Sequence, residues 1–265
     1  MLAKKALRYY VYPTIVLLVL FLSYQYARHQ GLDVTPHKKQ VMAKPLPDFS
    51  VYTDVKEKKQ AFFGFLKPII DSENQRVLAI REEVKDFYEQ QLAAKPFSYS
   101  QQKRLEKLAF RYDVEGLGSD DPEFFKLLLK RVDTVPASLA LAQAANESAW
   151  GTSRFARKAN NLYGQWCFKA GCGLVPKQRS SGKVHEVASF TSPRASVRSY
   201  IHNINTSHAY ADLRAMREKQ RQAQAKLNGH QLAAGLLKYS QRGEAYIDEL
   251  RAMIRVNKLS QYDRF

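Results

Sequence analysis

Residues that bind metals and cofactors are scarce in this sequence. Only two cysteines and six histidines occur among its 265 residues. Cys167 and Cys172 have no neighbouring Cys or His pair that would complete a zinc site, and His185 and His202 stand alone. The glycine signatures of phosphate-binding and dinucleotide-binding loops are also missing. We therefore expect neither a metal nor a cofactor, which argues against metal-dependent and nucleotide-dependent enzymes.

Acidic residues are outnumbered, and no internal repeat is visible. The chain has 25 Asp and Glu against 42 Lys and Arg, for a formal net charge of +17. Such an excess attracts polyanions, whether nucleic acid, an anionic membrane face or an anionic cell wall, and charge alone does not choose among them. Hydrophobic residues make up 45% of the chain, which is enough for a real core and excludes a disordered protein.

One long apolar run does occur, at the N-terminus. Lys4, Lys5 and Arg8 precede an uncharged run from Tyr9 to Tyr26, whose 18 residues are at the short end of what spans a bilayer. A cleaved signal peptide is the alternative, but no small-x-small cleavage site follows the run. We predict that residues 1–30 form an uncleaved inner-membrane anchor with a cytoplasmic N-terminus. The rest of the chain would then face the periplasm, where nucleic acid is not a partner.

The predicted compartment decides the expected redox state of the two cysteines. Outside the cytoplasm, a disulfide between Cys167 and Cys172 is favoured over two free thiols. The small glycine-containing loop between them, WCFKAGCG, is short enough to be closed in this way.

The remaining chain has mainly helical patterns. Residues 31–55 contain prolines and polar runs without a period, which is typical of a flexible linker. A helical region over 56–116 and a catalytic domain over 117–265 follow. A small β-hairpin or extended flap is predicted within 177–190. The predicted helices cover residues 55–91, 99–112, 122–132, 137–149, 193–205, 210–229, 230–239 and 243–257.

Two of these helical segments need comment. Pro68 is expected to start or kink a helix. The basic stretch 214–226 is interpreted as a solvated helical face, with a polyanion-binding face as the alternative.

The stretch AQAANESAWG contains the first candidate for chemistry. Glu147 lies near the predicted end of a helix, two residues before Ala149 and just ahead of Trp150. The negative end of the helix dipole and a bulky indole both favour the protonated form of a carboxyl group. That is the profile of a general acid, although a solvated glutamate of ordinary pKa fits the local sequence equally well.

Several motifs together resemble a known family. VPASLALAQAANESAWG, NNLYG, VASFTSPRASVRSYIHNIN, HAYADLR and GEAYIDELRAMI are similar to segments of the family 73 glycoside hydrolases, the peptidoglycan β-N-acetylglucosaminidases that include the flagellar rod-cap hydrolase. The likeness runs from Thr134 to Ile254. The insertion WCFKAGCGLVP and the anchored N-terminal part point to one branch of this family.

The resemblance implies a fold and a reaction. The fold would be a mainly α, lysozyme-like domain with a small β-hairpin flap. The reaction would be cleavage of the bond after N-acetylglucosamine in peptidoglycan glycan strands. At the position of the family's catalytic acid, Glu147 would protonate the glycosidic oxygen.

The resemblance is less complete for the second catalytic group. Glu186 is the possible equivalent of the family's second glutamate, but KVHE replaces the usual Thr-x-Glu setting. Without that carboxylate, a tyrosine or the substrate's own acetamido group would assist the attack of water. Tyr246 matches the family's C-terminal tyrosine, which would steady the transition state or orient water. An aromatic core position is the alternative for Tyr246.

Five further residues would line the sugar groove, with core packing or capping as the alternative for each. Aromatic faces stack on sugar rings, and amides bind hydroxyl and acetamido groups. Trp150 is interpreted as a packing wall behind Glu147 rather than a sugar platform. The predicted groove residues are Asn161, Tyr163, Trp166, Phe190 and Tyr210.

Two other functions are compatible with these residues. Lytic transglycosylases also carry a catalytic Glu-Ser at a helix end, but they form an anhydro-muramic product without water. A non-enzymatic cell-wall-binding protein on the same fold is the third possibility.

Overall fold

The structure is a computed structural model that describes residues 45–114, 116–177 and 184–264. The predicted membrane anchor, residues 1–30, lies outside the described residues, as does the larger part of the predicted linker, 31–44. Within the described ranges, no helix combines the length and the apolar composition that crossing a membrane requires.

The described residues form a mainly helical fold with a small sheet, as predicted. The helices are α1 (Val55–Leu92), α2 (Tyr99–Arg111), α3 (Pro122–Arg131), α4 (Ala137–Glu147), α5 (Arg154–Ala159), α6 (Pro193–Thr206), α7 (Ala211–Gln222), α8 (Gly229–Leu232) and α9 (Glu244–Val256). The strands are β1 (Trp166–Cys167), β2 (Gly173–Leu174) and β3 (Glu186–Ala188). Short 3₁₀ helices cover Phe49–Val51, His208–Tyr210, Ala233–Leu236 and Leu259–Tyr262.

Helix α1, with 38 residues, is the longest helix among the described residues. Asp54 caps it by accepting a hydrogen bond from the amide of Glu57 at 2.8 Å. The helix continues through Pro68 without ending there. Its apolar face is buried on both sides of the proline, from Phe62 to Phe87, and this packing outweighs the hydrogen bond that the proline removes.

A buried carboxylate fastens α1 to the rest of the domain. Glu73 accepts hydrogen bonds from Arg198 at 2.8 Å, Arg76 at 2.9 Å and Arg194 at 3.1 Å. Although burial alone would raise it, these arginines lower the pKa of Glu73 to about 2. The next residue, Asn74, donates to the carbonyl oxygen of Val135 at 2.8 Å. Helix α1 therefore belongs to the same core as the helices that follow it.

The described end of the predicted linker packs into this core. Phe49, near the end of the predicted linker, is buried and packs edge-on against Phe62 with ring centroids 5.3 Å apart. The described residues belong to one compact unit, which continues without a break across the predicted division between 116 and 117.

Helix α4 lies at the centre of the core. Its small residues, among them Ala140, Ala142 and Ala144, are completely buried and let α1, α8 and α9 approach closely. The predicted helix over 137–149 ends earlier, at Glu147. Ala149 and Trp150 have positive φ angles of 50° and 60°, which a helix does not allow.

The sheet is built differently from the predicted flap. Strand β3 is the middle strand and pairs antiparallel with β1 and β2, so that Cys167 lies opposite Glu186 and Gly173 opposite Ala188. The strand described within the predicted flap is therefore paired with the cysteine loop.

The prediction over 210–239 is also corrected. Helix α7 ends at Gln222, and the predicted helix over 230–239 is only the short α8 followed by a 3₁₀ turn. Gly235 sits where a Cβ would lie 2.3 Å from the Cα of Leu213, so the 3₁₀ turn lies closer to α7 than any residue with a side chain would allow.

Candidate active site

Glu147 is the last residue of α4, and its half-buried carboxyl group points into a polar cluster. The hydroxyl of Tyr246, on α9, donates to its Oε1 at 2.8 Å. Burial raises the pKa of Glu147, and hydrogen bonds from Tyr246 and Asn146 only partly oppose this. Glu147 therefore keeps its proton to a higher pH than an ordinary glutamate.

A chain of buried hydrogen bonds leads to this carboxyl group. The hydroxyl of Tyr200 donates to Oε1 of Gln143 at 2.6 Å, and Nε2 of Gln143 donates to the hydroxyl oxygen of Tyr246 at 3.1 Å. Because the NH₂ group of Gln143 donates to the hydroxyl oxygen of Tyr246, that hydroxyl donates its own hydrogen to Glu147. Burial also raises the pKa of Tyr246 and Tyr200, so both hydroxyls keep their protons. Oε1 of Glu147 is therefore an acceptor, and the acid proton belongs on Oε2.

The NNLYG turn leaves room at that second oxygen. Gly164 has a φ of +64°, and a Cβ at this position would lie 3.5 Å from Oε2 of Glu147. The turn is held by Asn161, whose Nδ2 donates to the carbonyl oxygens of Gln165 and Ala188 at 2.8 Å each. The Oδ1 atom of Asn161 accepts from the amide of Gln165 at 3.1 Å. Asn161, predicted to line the sugar groove, is buried and holds the loop instead.

Two other predicted groove residues are part of a buried tyrosine cluster. Tyr163 stacks on Tyr200 with ring centroids 3.9 Å apart. Tyr210 is buried with its ring 5.8 Å from Tyr239, which in turn stacks on Tyr246 at 5.5 Å. These rings pack against the tyrosines of the hydrogen-bond chain. Tyr163 and Tyr210 therefore occupy the core-packing positions that the sequence left as the alternative.

Trp166 is different from these tyrosines. Its side chain is 57% exposed on β1, and it stacks on His185 with ring centroids 4.1 Å apart. An exposed indole with one face supported suits stacking on a sugar ring. Phe190 is partly buried, and its backbone amide donates to the carbonyl oxygen of Ala159 at 2.8 Å.

Glu186 is buried and turned toward the cysteine loop. Oε1 accepts from the amide of Gly171 at 3.0 Å and Oε2 from the amide of Gly173 at 2.8 Å. The structure also joins Cys167 and Cys172 in a disulfide. These three side chains lie within 4.8 Å of one another, but cysteines in a disulfide offer no thiolate to a metal ion. Both oxygens of Glu186 thus hold the loop.

Trp150 packs away from the acid. Its ring lies edge-on to Phe62 and Phe63 of α1, with centroids 5.7 Å and 5.4 Å apart. The indole is a packing residue, as predicted, but its partners are on α1.

Sequence reasoning missed some residues around Glu147. Gln143 precedes Glu147 by four residues, a spacing that places both on one helix face and could have identified it. Glu249 follows Tyr246 by three residues on α9, and its charge adds to the raised pKa of Glu147, which the charge of Arg242 opposes. Tyr200 and Tyr239 become neighbours only through the fold.

This chain is similar to a protein family and to two known proteins. The family profile named glucosaminidase, described as mannosyl-glycoprotein endo-beta-N-acetylglucosaminidase, matches residues 122–259. Protein bax of Escherichia coli (strain K12) is 33% identical over 222 residues, which cover 83% of this chain and 77% of that protein. The catalytic domain of the autolysin Auto from Listeria monocytogenes is 22% identical with a TM-score of 0.39, covering 68% of this chain and 97% of that one. At this score the structural likeness supports no conclusion, and the lysozyme-like topology stays a prediction.

Proposed function

Because this chain belongs to the glucosaminidase family of glycoside hydrolases, we propose that it is a peptidoglycan hydrolase that cleaves the bond after N-acetylglucosamine with Glu147 as the general acid. The family membership supports the reaction class. The assignment of the acid rests on one observation: the two oxygens of Glu147 have different surroundings. Oε1 is bound by Tyr246, and Oε2 lies beside the open position at Gly164.

This difference gives the proton a direction. The protonated Oε2 donates to the glycosidic oxygen as the bond breaks, and the raised pKa of Glu147 keeps this proton available. As the carboxylate forms, Tyr246 stabilises the new charge through its bond to Oε1. Gln143 is a positioning residue, because it holds the hydroxyl of Tyr246 in the donating orientation.

The second half of the reaction does not depend on Glu186 in this proposal. Both of its oxygens are bound to loop amides, so in this proposal Glu186 holds the cysteine loop. The substrate's acetamido group, or Tyr246, then assists the attack instead. The catalytic assignment of Glu186 stays a prediction that its variant tests.

A digest of purified peptidoglycan tests the proposed reaction. Mass spectrometry should find new reducing N-acetylglucosamine ends with the wild type and none with Glu147→Gln. Anhydro-muramic ends without reducing N-acetylglucosamine would instead identify a lytic transglycosylase. Binding to peptidoglycan without any release of fragments would leave only the wall-binding alternative for this substrate.

We also propose that residues 1–30 anchor the enzyme in the inner membrane with the remainder in the periplasm. The basic and then apolar pattern of residues 4–26 supports this orientation. The disulfide between Cys167 and Cys172 is compatible with an oxidising compartment. Fusion of a compartment-specific reporter to the C-terminus tests the topology, and a cytoplasmic signal would contradict it.

A further inference from the structure

A groove of about 870 Å³ lies between the start of α1 and the end of the chain. Its walls come from residues 54–67 on one side and residues 256–262 on the other. Neither Glu147 nor Tyr246 lines it, so the proposed reaction does not account for this groove.

The groove collects positive charge that the fold does not neutralise. Lys56, Lys59 and Lys258 line it, and none of them forms a salt bridge with the residues that the structure describes. The Nζ atom of Lys59 instead lies 5.2 Å from the ring centroid of Trp150. The carboxylate in the lining, Asp54, already caps α1 through the amide of Glu57. With three lysines that form no salt bridge among the described residues and only one carboxylate, the groove has a net positive charge, which an anionic ligand would offset.

A glycine keeps the groove open. Gly64 lies in the interior of α1, where glycine destabilises a helix relative to alanine. It is exposed, and a Cβ added there would meet no atom within 4 Å. Gly229 and Gly235, in contrast, each face an atom closer than 2.5 Å. Packing therefore gives no reason for a glycine at position 64, whereas free space for a ligand does.

The other lining groups suit a peptide. The side-chain amides of Gln60 and Gln261 are exposed, and they form no hydrogen bond with the described residues. Each amide both donates and accepts, as the peptide bond does. Val256 adds an exposed apolar side chain to the same groove, and Phe63 an almost buried ring. Carboxylates, peptide bonds and small apolar side chains thus each have a complementary group.

We propose that this groove binds acidic peptides, and that its ligand is the carboxylate-bearing peptide stem of peptidoglycan. The naming of the stem rests on the proposed function, but the preference for an acidic peptide rests on the groove alone. Binding there would hold the enzyme on the polymer while the glycan strand is cleaved elsewhere on the domain. Because the charges are solvent-accessible, affinity should fall with rising salt.

Co-sedimentation of the full chain with purified peptidoglycan tests this proposal. All arms carry Glu147→Gln, so that the polymer stays intact. The double variant Lys56→Gln/Lys59→Gln should bind intact peptidoglycan about two- to thirtyfold more weakly, the range for losing two exposed ion pairs. The matched control Lys95→Gln/Lys107→Gln loses the same charge at exposed lysines outside the groove and should bind like the parent.

A second variant separates the groove from charge and from misfolding. Gly64→Gln places a long uncharged side chain in the groove without changing its charge, so it should weaken binding. The Tm should be equal or higher, because glutamine is a better helix former than glycine. Equal binding by the groove variants and the control would overturn the proposal.

The ligand is identified with two further probes. Peptidoglycan stripped of its peptide stems should bind all variants equally. If the groove variants lose as much binding to this stem-free glycan as to intact peptidoglycan, the groove binds the glycan. Polyphosphate that competes better than a synthetic acidic peptide would assign it to phosphates, and either result overturns the proposal. Hydrolysis of stem-free glycan by Lys56→Gln/Lys59→Gln, with Glu147 intact, should equal that of the wild type. If the wild type releases no fragments from intact peptidoglycan, the proposed function fails while the binding result still decides this proposal.

Discussion

Two glutamates of this domain have pKa values that are shifted in opposite directions. Glu73 on α1 is surrounded by three guanidinium groups, which lower its pKa to about 2 despite burial. Among the described residues, Glu147 on α4 accepts hydrogen bonds only from neutral donors, and burial raises its pKa. The carboxyl group of Glu73 is held as an anion, whereas burial favours the protonated form at Glu147, because of the two only Glu73 has positive charges in contact among the described residues. A buried carboxyl group keeps a raised pKa, as general acid catalysis requires, when no cation contacts it.

The largest effect in this comparison should come from Glu147→Gln. Peptidoglycan hydrolysis should fall about 10²- to 10⁴-fold, since glutamine keeps the shape but has no transferable proton. The Tm at pH 7 should be equal or higher, because burial disfavours the charged form that glutamine removes. Fragment release and thermal unfolding measure the two quantities. The exposed Glu89→Gln is the matched control and should change neither.

Glu73→Gln should show the reverse pattern. Loss of the carboxylate leaves three arginines unpaired, and we expect about 1–3 kcal/mol of destabilisation at pH 7 with activity per folded molecule unchanged. The folded pKa of about 2 lies below the ordinary 4.5, so this stabilisation is present above pH 4.5 and is lost toward pH 2. Urea unfolding at pH 7 and at pH 3 should therefore show a smaller difference at pH 3.

The exposed pair formed by Glu82 and Lys85 provides the control for Glu73. Glu82→Gln should cost less than about 0.5 kcal/mol, as surface ion pairs do. Equal costs for Glu73→Gln and Glu82→Gln would show that the buried cluster does not fasten α1.

Tyr246→Phe sharpens the comparison by removing a neutral donor. The hydrogen bond from Tyr246 lowers the pKa of Glu147, so its loss should raise that pKa further. The kcat/KM should fall about tenfold, the equivalent of one hydrogen bond to a developing charge. The alkaline limb of its pH profile should move to higher pH. The exposed Tyr99→Phe should alter neither, and a lower rate with an unmoved limb would contradict the contact with Glu147.

The smallest effect is expected from Glu186→Gln. The glutamine oxygen still accepts from one loop amide, so activity should fall only by a few fold, about the worth of one lost hydrogen bond. Hydrogen exchange at the amides of Gly171 and Gly173 should become faster. A loss as large as that of Glu147→Gln would instead support the catalytic prediction for Glu186.

The comparison also shows which sequence inferences had the right cause. The helix dipole and the indole of Trp150 are the influences that the local sequence suggests on the pKa of Glu147, with an ordinary pKa equally compatible. Burial is the main cause of its raised pKa, and the indole packs on α1. The basic stretch 214–226 was interpreted as a solvated face, yet Arg217 is buried and donates to the carbonyl oxygen of Thr134 at 2.9 Å. Local patterns do not reveal which neighbours the fold will bring.

The sequence by itself determined the main helices and the candidate acid. Predictions over 55–91, 122–132 and 193–205 agree with α1, α3 and α6 to within one residue, because periodic apolar faces and N-terminal caps are local properties. The motifs around Glu147 identified the family for the same reason, since they occupy short continuous segments.

Only the tertiary structure decided how the residues around Glu147 are used. Residues more than fifty positions apart form the chain from Tyr200 through Gln143 to Tyr246, and long-range contacts turned Asn161 and Tyr163 from predicted groove residues into supports. A hydrogen-bond direction depends on every donor and acceptor that meets in the core, and these meet only after folding. Burial, the main cause of the raised pKa of Glu147, is likewise a property of the packed domain rather than of the segment.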